Sequence, residues 1–277
     1  MIENLSMSQI IYFATVMALT AIPAGFAAGL FGIGGGLISV PFLFYIFGTL
    51  NVDSEHIMHL AVGTSFAIIM PTSISSVLAH NKFKAVDFDI VKSYGIFVMM
   101  GVVVGTIFAS ILKTQQLILF FSIVTFFLGI YLIFLKEKKI KIKSDFKMYQ
   151  KLLFGLISGF ISAPMGIGGA VMNVPILKFF GYSINRAIGS AAAIGFLVST
   201  TGSVGFFITG AFKDVNIPLS LGFVNVPAFL IFVPITIVMA RVGAKTVHKI
   251  EKKLITKLFG FFNLLVSAKL FYEYFSY

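Results

Sequence analysis

Gly29-Leu-Phe-Gly-Ile-Gly-Gly-Gly-Leu-Ile-Ser-Val-Pro-Phe-Leu43 decides the fold, because the chain carries it twice. The second copy reads Ala163-Pro-Met-Gly-Ile-Gly-Gly-Ala-Val-Met-Asn-Val-Pro-Ile-Leu177. A shift of 134 positions lays Gly32-Ile33-Gly34-Gly35 on Gly166-Ile167-Gly168-Gly169, Val40-Pro41 on Val174-Pro175, and Gly25-Phe26 on Gly159-Phe160. Apolar sequence flanks both copies. A run of glycines breaks a helix, and a break inside lipid is tolerated only where protein or a polar cavity surrounds it.

Composition places that break in a membrane. Of 277 residues, 58% are hydrophobic and 11% charged, and mean hydropathy is +1.01. A soluble domain of this size would lack the polar surface it needs. Apolar segments long enough to cross a hydrocarbon layer of about 30 Å recur along the chain. The class is an all-α polytopic membrane protein. Zero Cys removes disulfides, thiolate metal sites and cysteine nucleophiles. Residues 1–9 hold no Lys or Arg, so they do not read as the basic start of a cleaved signal peptide.

Outward from the first glycine cluster, residues 8–31 and 37–50 form an apolar pair. The second member would rise only about 21 Å as a helix, too short to cross comfortably. The pair is therefore broken or re-entrant at the glycines. Spans follow at about 57–79, 90–112 and 116–135. Around the second cluster lie 152–165 and 169–181, then spans at about 186–210, 217–240 and 256–275. The chain thus divides into an N-terminal repeat (1–135), a basic linker (136–151) with seven lysines and two acids, and a C-terminal repeat (152–277). The whole has eight or ten crossing segments, according to whether the short pairs span or re-enter.

Three spans plus one pair give each half an odd number of crossings, so the halves enter from opposite sides as inverted repeats. Lysine and arginine support this. With the linker on the cytoplasmic side, 18 of the 21 bases fall inside, and only Lys113, Lys213 and Lys269 fall outside. Both termini are then external. The net charge of +11 is a topology signal, with contact between the linker and anionic lipid a lesser role, and does not indicate nucleic acid.

All ten carboxylates lie in loops, termini or span ends, and no Lys or Arg sits mid-span. Proton relays, metal sites and membrane-embedded catalytic centres need such groups at depth, so an enzyme, a metal and a cofactor are not expected. What remains is backbone. A helix that starts after a glycine break presents unpaired N–H groups and the positive end of its dipole, a local site for an anion. Candidate ligands are Gly34, Gly35 and Gly36 in the first copy and Gly168, Gly169 and Ala170 in the second. Gly32, Pro41, Gly166 and Pro175 shape the breaks, and Ser65, Asn173 and Ser190 are the candidate side-chain contacts. Two such breaks in an inverted repeat are expected to face each other. Helix packing is the competing explanation for any small-xxx-small spacing, and the better one for Gly101/Gly105 and Gly155/Gly159. The hydroxyls of 64–76 and 199–203 can equally bond their own preceding turns. His56 and His59 lack a third metal ligand. His80, before Asn81-Lys82-Phe83-Lys84, is either a gate at the cytoplasmic mouth or interfacial decoration.

The paired Gly-Ile-Gly-Gly…Val-Pro segments, Gly63-Thr64-Ser65, and His80 before a basic turn with Asp87 resemble the TauE/SafE family of sulfite exporters and probable membrane transporter proteins. The resemblance spans essentially the whole chain. Its matching positions are Gly32, Gly34, Gly35, Gly36 and Pro41, then Gly166, Gly168, Gly169 and Pro175. Ala170 and Ala85 depart from the pattern, which bears on the symmetry of the half-sites. The resemblance implies transport of a sulfur oxyanion or organosulfonate, such as sulfite or sulfoacetate, across the bacterial inner membrane. The rival class is a non-transporting membrane scaffold or subunit. Substrate, direction, coupling ion and oligomeric state are not encoded legibly.

Overall fold

A computed structural model describes residues 7–32, 34–50, 55–134, 146–213, 217, 219–246 and 252–276. The Asn51–Ser54 link, most of the basic linker and the two chain ends lie outside the described residues. Ten helices account for nearly all of the described chain: α1 (Met7–Phe31), α2 (Gly36–Thr49), α3 (Ile57–Asn81), α4 (Phe88–Ile111), α5 (Thr114–Phe134), α6 (Met148–Met165), α7 (Ala170–Phe179), α8 (Ile184–Phe212), α9 (Val226–Thr246) and α10 (Lys252–Ser276). Among the described residues, α1, α3, α4, α5, α8 and α9 are long and apolar enough to cross a membrane, whereas α2 and α7 are short apolar helices. α10 has the length, but its ends carry Lys252, Lys253, Lys257, Lys269 and Glu273, which dilute its hydropathy.

One span departs from expectation at both ends, running Val226–Thr246. The span read at 217–240 begins only at Val226, because Ser220–Leu221 (β1) and Val224–Asn225 (β2) form a two-residue antiparallel hairpin first. Gly222, with φ 56°, turns it, and no apolar-periodicity argument detects a turn that short.

Polar residues begin the long helices. The Asp87 carboxylate accepts from the amides of Asp89 and Ile90 (3.2 and 3.3 Å) to cap α4, and Asn225 Oδ1 accepts from Ala228 N (3.0 Å) to cap α9. Such caps satisfy amides that the helix itself cannot.

The principal packed pairs are α1 with α9, α4 with α6, α3 with α8, α5 with α10, α3 with α9, α4 with α8, α2 with α3 and α7 with α8. If α6–α10 are taken as the repeat of α1–α5, every one of these pairs exchanges with another or maps onto itself. α3 and α8 form the centre. Small residues bring the outer pairs into backbone contact. A side chain at Gly101 would press on Leu156, at Gly105 on Phe160, at Gly155 on Phe97 and at Gly159 on Val102. All four therefore serve one α4–α6 interface, as the packing explanation requires. Gly25 and Gly29 do the same for α1 against Thr236 and Ala240 of α9.

Candidate functional site

Both helix interruptions fall where the sequence marks them. α2 starts from Gly35 (φ 83°) and α7 from Gly169 (φ 71°). Left-handed N-caps at these two points let the chain reverse without a Cβ penalty. The two breaks touch: a methyl group on Gly36 would collide with the carbonyl of Gly166, and one on Gly34 would lie 3.5 Å from Gly168 Cα. All of these glycines are buried, with Ala170, Ser65 and Asn173 fully so. Pro41 and Pro175 are each the sixth residue of their helix. Lacking an N–H, they interrupt the ladder one turn beyond the break.

Each break is also wedged against the central helix of the other half. Gly32 abuts Ile188 O (2.8 Å from an added Cβ), and Gly166 abuts Val62 Cα and O (3.0 Å each). Val62 and Ile188 are 126 positions apart, the offset that relates α3 to α8. The hydroxyls next to them follow the same rule. Thr64 Oγ1 accepts from Asn225 N and Ser190 Oγ from Asp87 N, both at 2.9 Å, so each hydroxyl ties a central helix to the cap residue of a helix in the other half. Ser190 therefore lies with the start of α4 and is not brought to the glycines. The nearby Tyr182 phenol is pushed above its ordinary pKa by burial first and by the Asp87 carboxylate second. In this register Thr64 is the equivalent of Ser190, and Ser65 is the equivalent of Ala191.

That offset makes the two breaks chemically unequal. Ser65 Oγ donates to Gly166 O (2.9 Å) and pairs with Ser39 Oγ (2.8 Å), so the hydroxyls beside the first break are consumed in bridging it to the second. Ser39 corresponds to Asn173 in the repeat. Asn173 Oδ1 accepts from Tyr94 Oη (2.8 Å) and from Ser158 Oγ (2.7 Å). Its amide nitrogen has no partner although no part of the residue reaches solvent, and it lies 3.1 Å from where a Gly169 side chain would begin. A buried unpaired donor is costly, on the order of 1–3 kcal/mol. Met172 N and Asn173 N both bond Gly169 O (3.1 and 3.0 Å), whereas the amides of Ala170 and Val171 make no hydrogen bond among the described residues. The start of α7 thus offers a helix N-terminus and a side-chain amide donor without any charged residue.

His80 is not exposed interfacial decoration. It is 1% exposed, and its Nε2 meets Gly29 O (3.0 Å), one of the last carbonyls of α1 before the break. Several hydroxyls of the runs bond their own helices, as with Thr72 to Ile68 O, Ser199 and Thr200 to Phe196 O, and Thr201 to Leu197 O. Thr72 also meets Thr236 Oγ1 (2.7 Å) across the interface with α9. At the opposite end of the bundle from His80, Phe223 of the hairpin is fully buried, with the rings of His56 and His59 against it (centroids 5.6 and 5.1 Å). Ser39, Tyr94, Ser158 and Phe223 were not singled out by sequence. The 134-position shift does place Ser39 opposite Asn173, but nothing in the chain identifies the partners of Tyr94 or Ser158.

The fold and the joined breaks define a multi-pass helical membrane protein organised around two interrupted helices, and comparison with known proteins makes its class a membrane transporter. Residues 17–270 match the family model described as sulfite exporter TauE/SafE, and the chain belongs to that family. It is 30% identical over 260 residues to a "Probable membrane transporter protein" of Haemophilus influenzae, covering 94% of this chain and 98% of that one. A protein of the same description from Methanocaldococcus jannaschii is 28% identical (83% and 84% covered), and the Bacillus subtilis protein YunE is 26% identical (93% and 97% covered). No solved structure matches the chain.

Proposed function

We propose that this protein is a secondary transporter or facilitator that moves a small anion, a sulfur oxyanion or organosulfonate such as sulfite or sulfoacetate, across the bacterial inner membrane. Repeats 1–135 and 152–277 act as inverted halves around a cytoplasmic linker at 136–151, with both termini outside. The anion sits where the breaks meet, on the first turn of α7 and the Asn173 amide, with Gly34–Gly36 closing it from the other half. Alternating access then requires the breaks to separate from α3 and α8, because in the present arrangement the site is shut from solvent.

The observation that carries this reading is the unpaired, fully buried Asn173 amide nitrogen beside the Gly169 cap. Most buried donors are paired, and an amide left unpaired beside a helix N-terminus is suited to receive an anion. Tyr94 and Ser158 fix the carbonyl end and so aim the amide. The family match supports the sulfur oxyanion class, and the carboxylate-free spans support recognition by neutral donors.

The test is anion flux into proteoliposomes, with Asn173→Asp as the variant. It keeps the shape, removes the donor and puts a negative charge in its place. A hydrogen bond to a charged group contributes about 1.5–3 kcal/mol, so flux at sub-saturating anion should fall about 10- to 100-fold. Ser190→Ala should transport within about twofold of wild type, since that hydroxyl binds Asp87 N. Wild-type flux by a correctly inserted Asn173→Asp protein refutes the site. Absence of flux for every sulfur oxyanion and carboxylate, with and without a pH gradient, returns the protein to the scaffold class.

A further inference from the structure

A cleft of about 610 Å³ opens between the C-terminal ends of α3 and α9, away from the joined breaks. Lys82, Arg241 and Lys245 line it together with Ser75, Leu78 and Phe83. Among the described residues lining it there is no acid, and none of the three cations forms an ion pair with a described carboxylate. Arg241 is held in place by one edge: its Nε donates to Ser75 Oγ (3.1 Å), which in turn donates to Ile237 O (2.8 Å). The outer edge of the guanidinium keeps its remaining donors for something else. Three like charges around one cleft repel one another unless an anion joins them.

The walls indicate which anion. Leu78 and Phe83 are 57% and 54% exposed, and the same outer surface continues along α3 through Ile74 and along α9 through Val238 and Val242, all exposed. From Ile74 to Lys82 is about 12 Å at the helical rise, so a cationic head-end stands above an apolar strip long enough for the upper part of an acyl chain. A free inorganic anion needs no such strip, and a soluble acidic peptide would not select it. We propose that this cleft is a binding site for one anionic phospholipid, whose phosphate bridges Lys82, Arg241 and Lys245 and whose acyl chain follows the Leu78–Ile74 ridge. The site is separate from the anion site at the breaks and stands whether or not that site is correct.

Native mass spectrometry and thermal unfolding of delipidated protein in a neutral detergent test it, with dioleoyl-phosphatidylglycerol as probe and dioleoyl-phosphatidylcholine as control. The variant is Lys82→Gln/Lys245→Gln, which removes two exposed charges and leaves the Arg241–Ser75 bond intact. Each base near an anionic lipid surface strengthens binding about fivefold, so retention of phosphatidylglycerol should fall about 25-fold, to the level of phosphatidylcholine. Lys92→Gln/Arg186→Gln removes the same net charge elsewhere and should leave retention unchanged. Leu78→Glu, which puts a carboxylate on the apolar wall and keeps all three cations, should also abolish the preference. Equal loss in the Lys92/Arg186 variant would mean diffuse attraction and overturn the site. So would displacement of the lipid by millimolar inorganic phosphate or sulfite, which would mark a free-anion site, or an unchanged preference in Lys82→Gln/Lys245→Gln.

Discussion

Ser65→Ala should be the most damaging one-atom change at the junction of the breaks. It removes the donor to Gly166 O and the partner of Ser39 Oγ. Hydrogen bonds between membrane helices contribute about 0.6 kcal/mol on average and up to about 1.7. A carbonyl left buried without a donor costs on the order of 1–3 kcal/mol. Gly166 O has no other hydrogen bond among the described residues, and the residue is buried. Ser39, by contrast, sits on the first full turn of α2, and its hydroxyl can turn back to its own helix. The sum for Ser65→Ala is therefore about 2–3 kcal/mol, dominated by the stranded carbonyl. Ser39→Ala leaves the Ser65–Gly166 bond in place and should cost about 1 kcal/mol or less. The double variant should cost little more than Ser65→Ala alone, because the two hydroxyls share one bond. Reversible unfolding in mixed micelles, followed by circular dichroism against denaturing detergent, measures all three. If Ser65→Ala falls within 0.5 kcal/mol of wild type (about the noise of a surface change), or if Ser39→Ala is the worse of the two, the bridge does not join the breaks as described.

Further outcomes follow from the same contacts. Ala191 is the register equivalent of Ser65, so Ala191→Ser should gain a bond to Gly32 O and be neutral or stabilising by about 1 kcal/mol; a loss larger than that in the same unfolding measurement would break the register. Gly29→Ala must push α1 off α9, since its methyl would collide with Ala240 and lie 2.8 Å from Ala244 N, whereas Gly48→Ala meets only Ile57 Cδ1 at 3.6 Å. The first should cost about 1–3 kcal/mol and the second should be silent, as read by melting temperature. Phe223→Ala empties a fully buried ring site and should cost about 3–5 kcal/mol, while Leu221→Ala, 59% exposed in the same hairpin, should change little.

Sequence reading reached the helices more easily than the hydrogen bonds. Apolar length alone located nine of the ten helices to within a few residues, because in lipid a helix is almost the only way to satisfy a backbone. It misplaced the start of α9, where a short hairpin interrupts the apolar run. The glycine clusters were legible as breaks, since consecutive glycines have little other use inside an apolar helix. Ser65 and Ser190 were both legible as candidate contacts, but not their partners: one hydroxyl goes to the opposite break and the other to the cap of α4. On a helix, one residue is a turn of about 100°, and no composition or spacing argument resolves that without the neighbour it faces.

By itself the sequence determined that this is a helical membrane protein, that it carries one glycine motif twice, and that no carboxylate, Lys or Arg lies mid-span. Those follow from local rules: apolar length, glycine's lack of a side chain, and the cost of burying a carboxylate. Only the tertiary structure decided that the two breaks touch and that they differ. Whether a buried donor is spent or free depends on which groups lie within about 3 Å of it. Ser39 and Asn173 occupy equivalent places in the repeat, yet one is bonded to Ser65 and the other keeps its amide unpaired beside Gly169. Ala170, which departs from the glycine pattern, falls at the break that holds the unpaired donor.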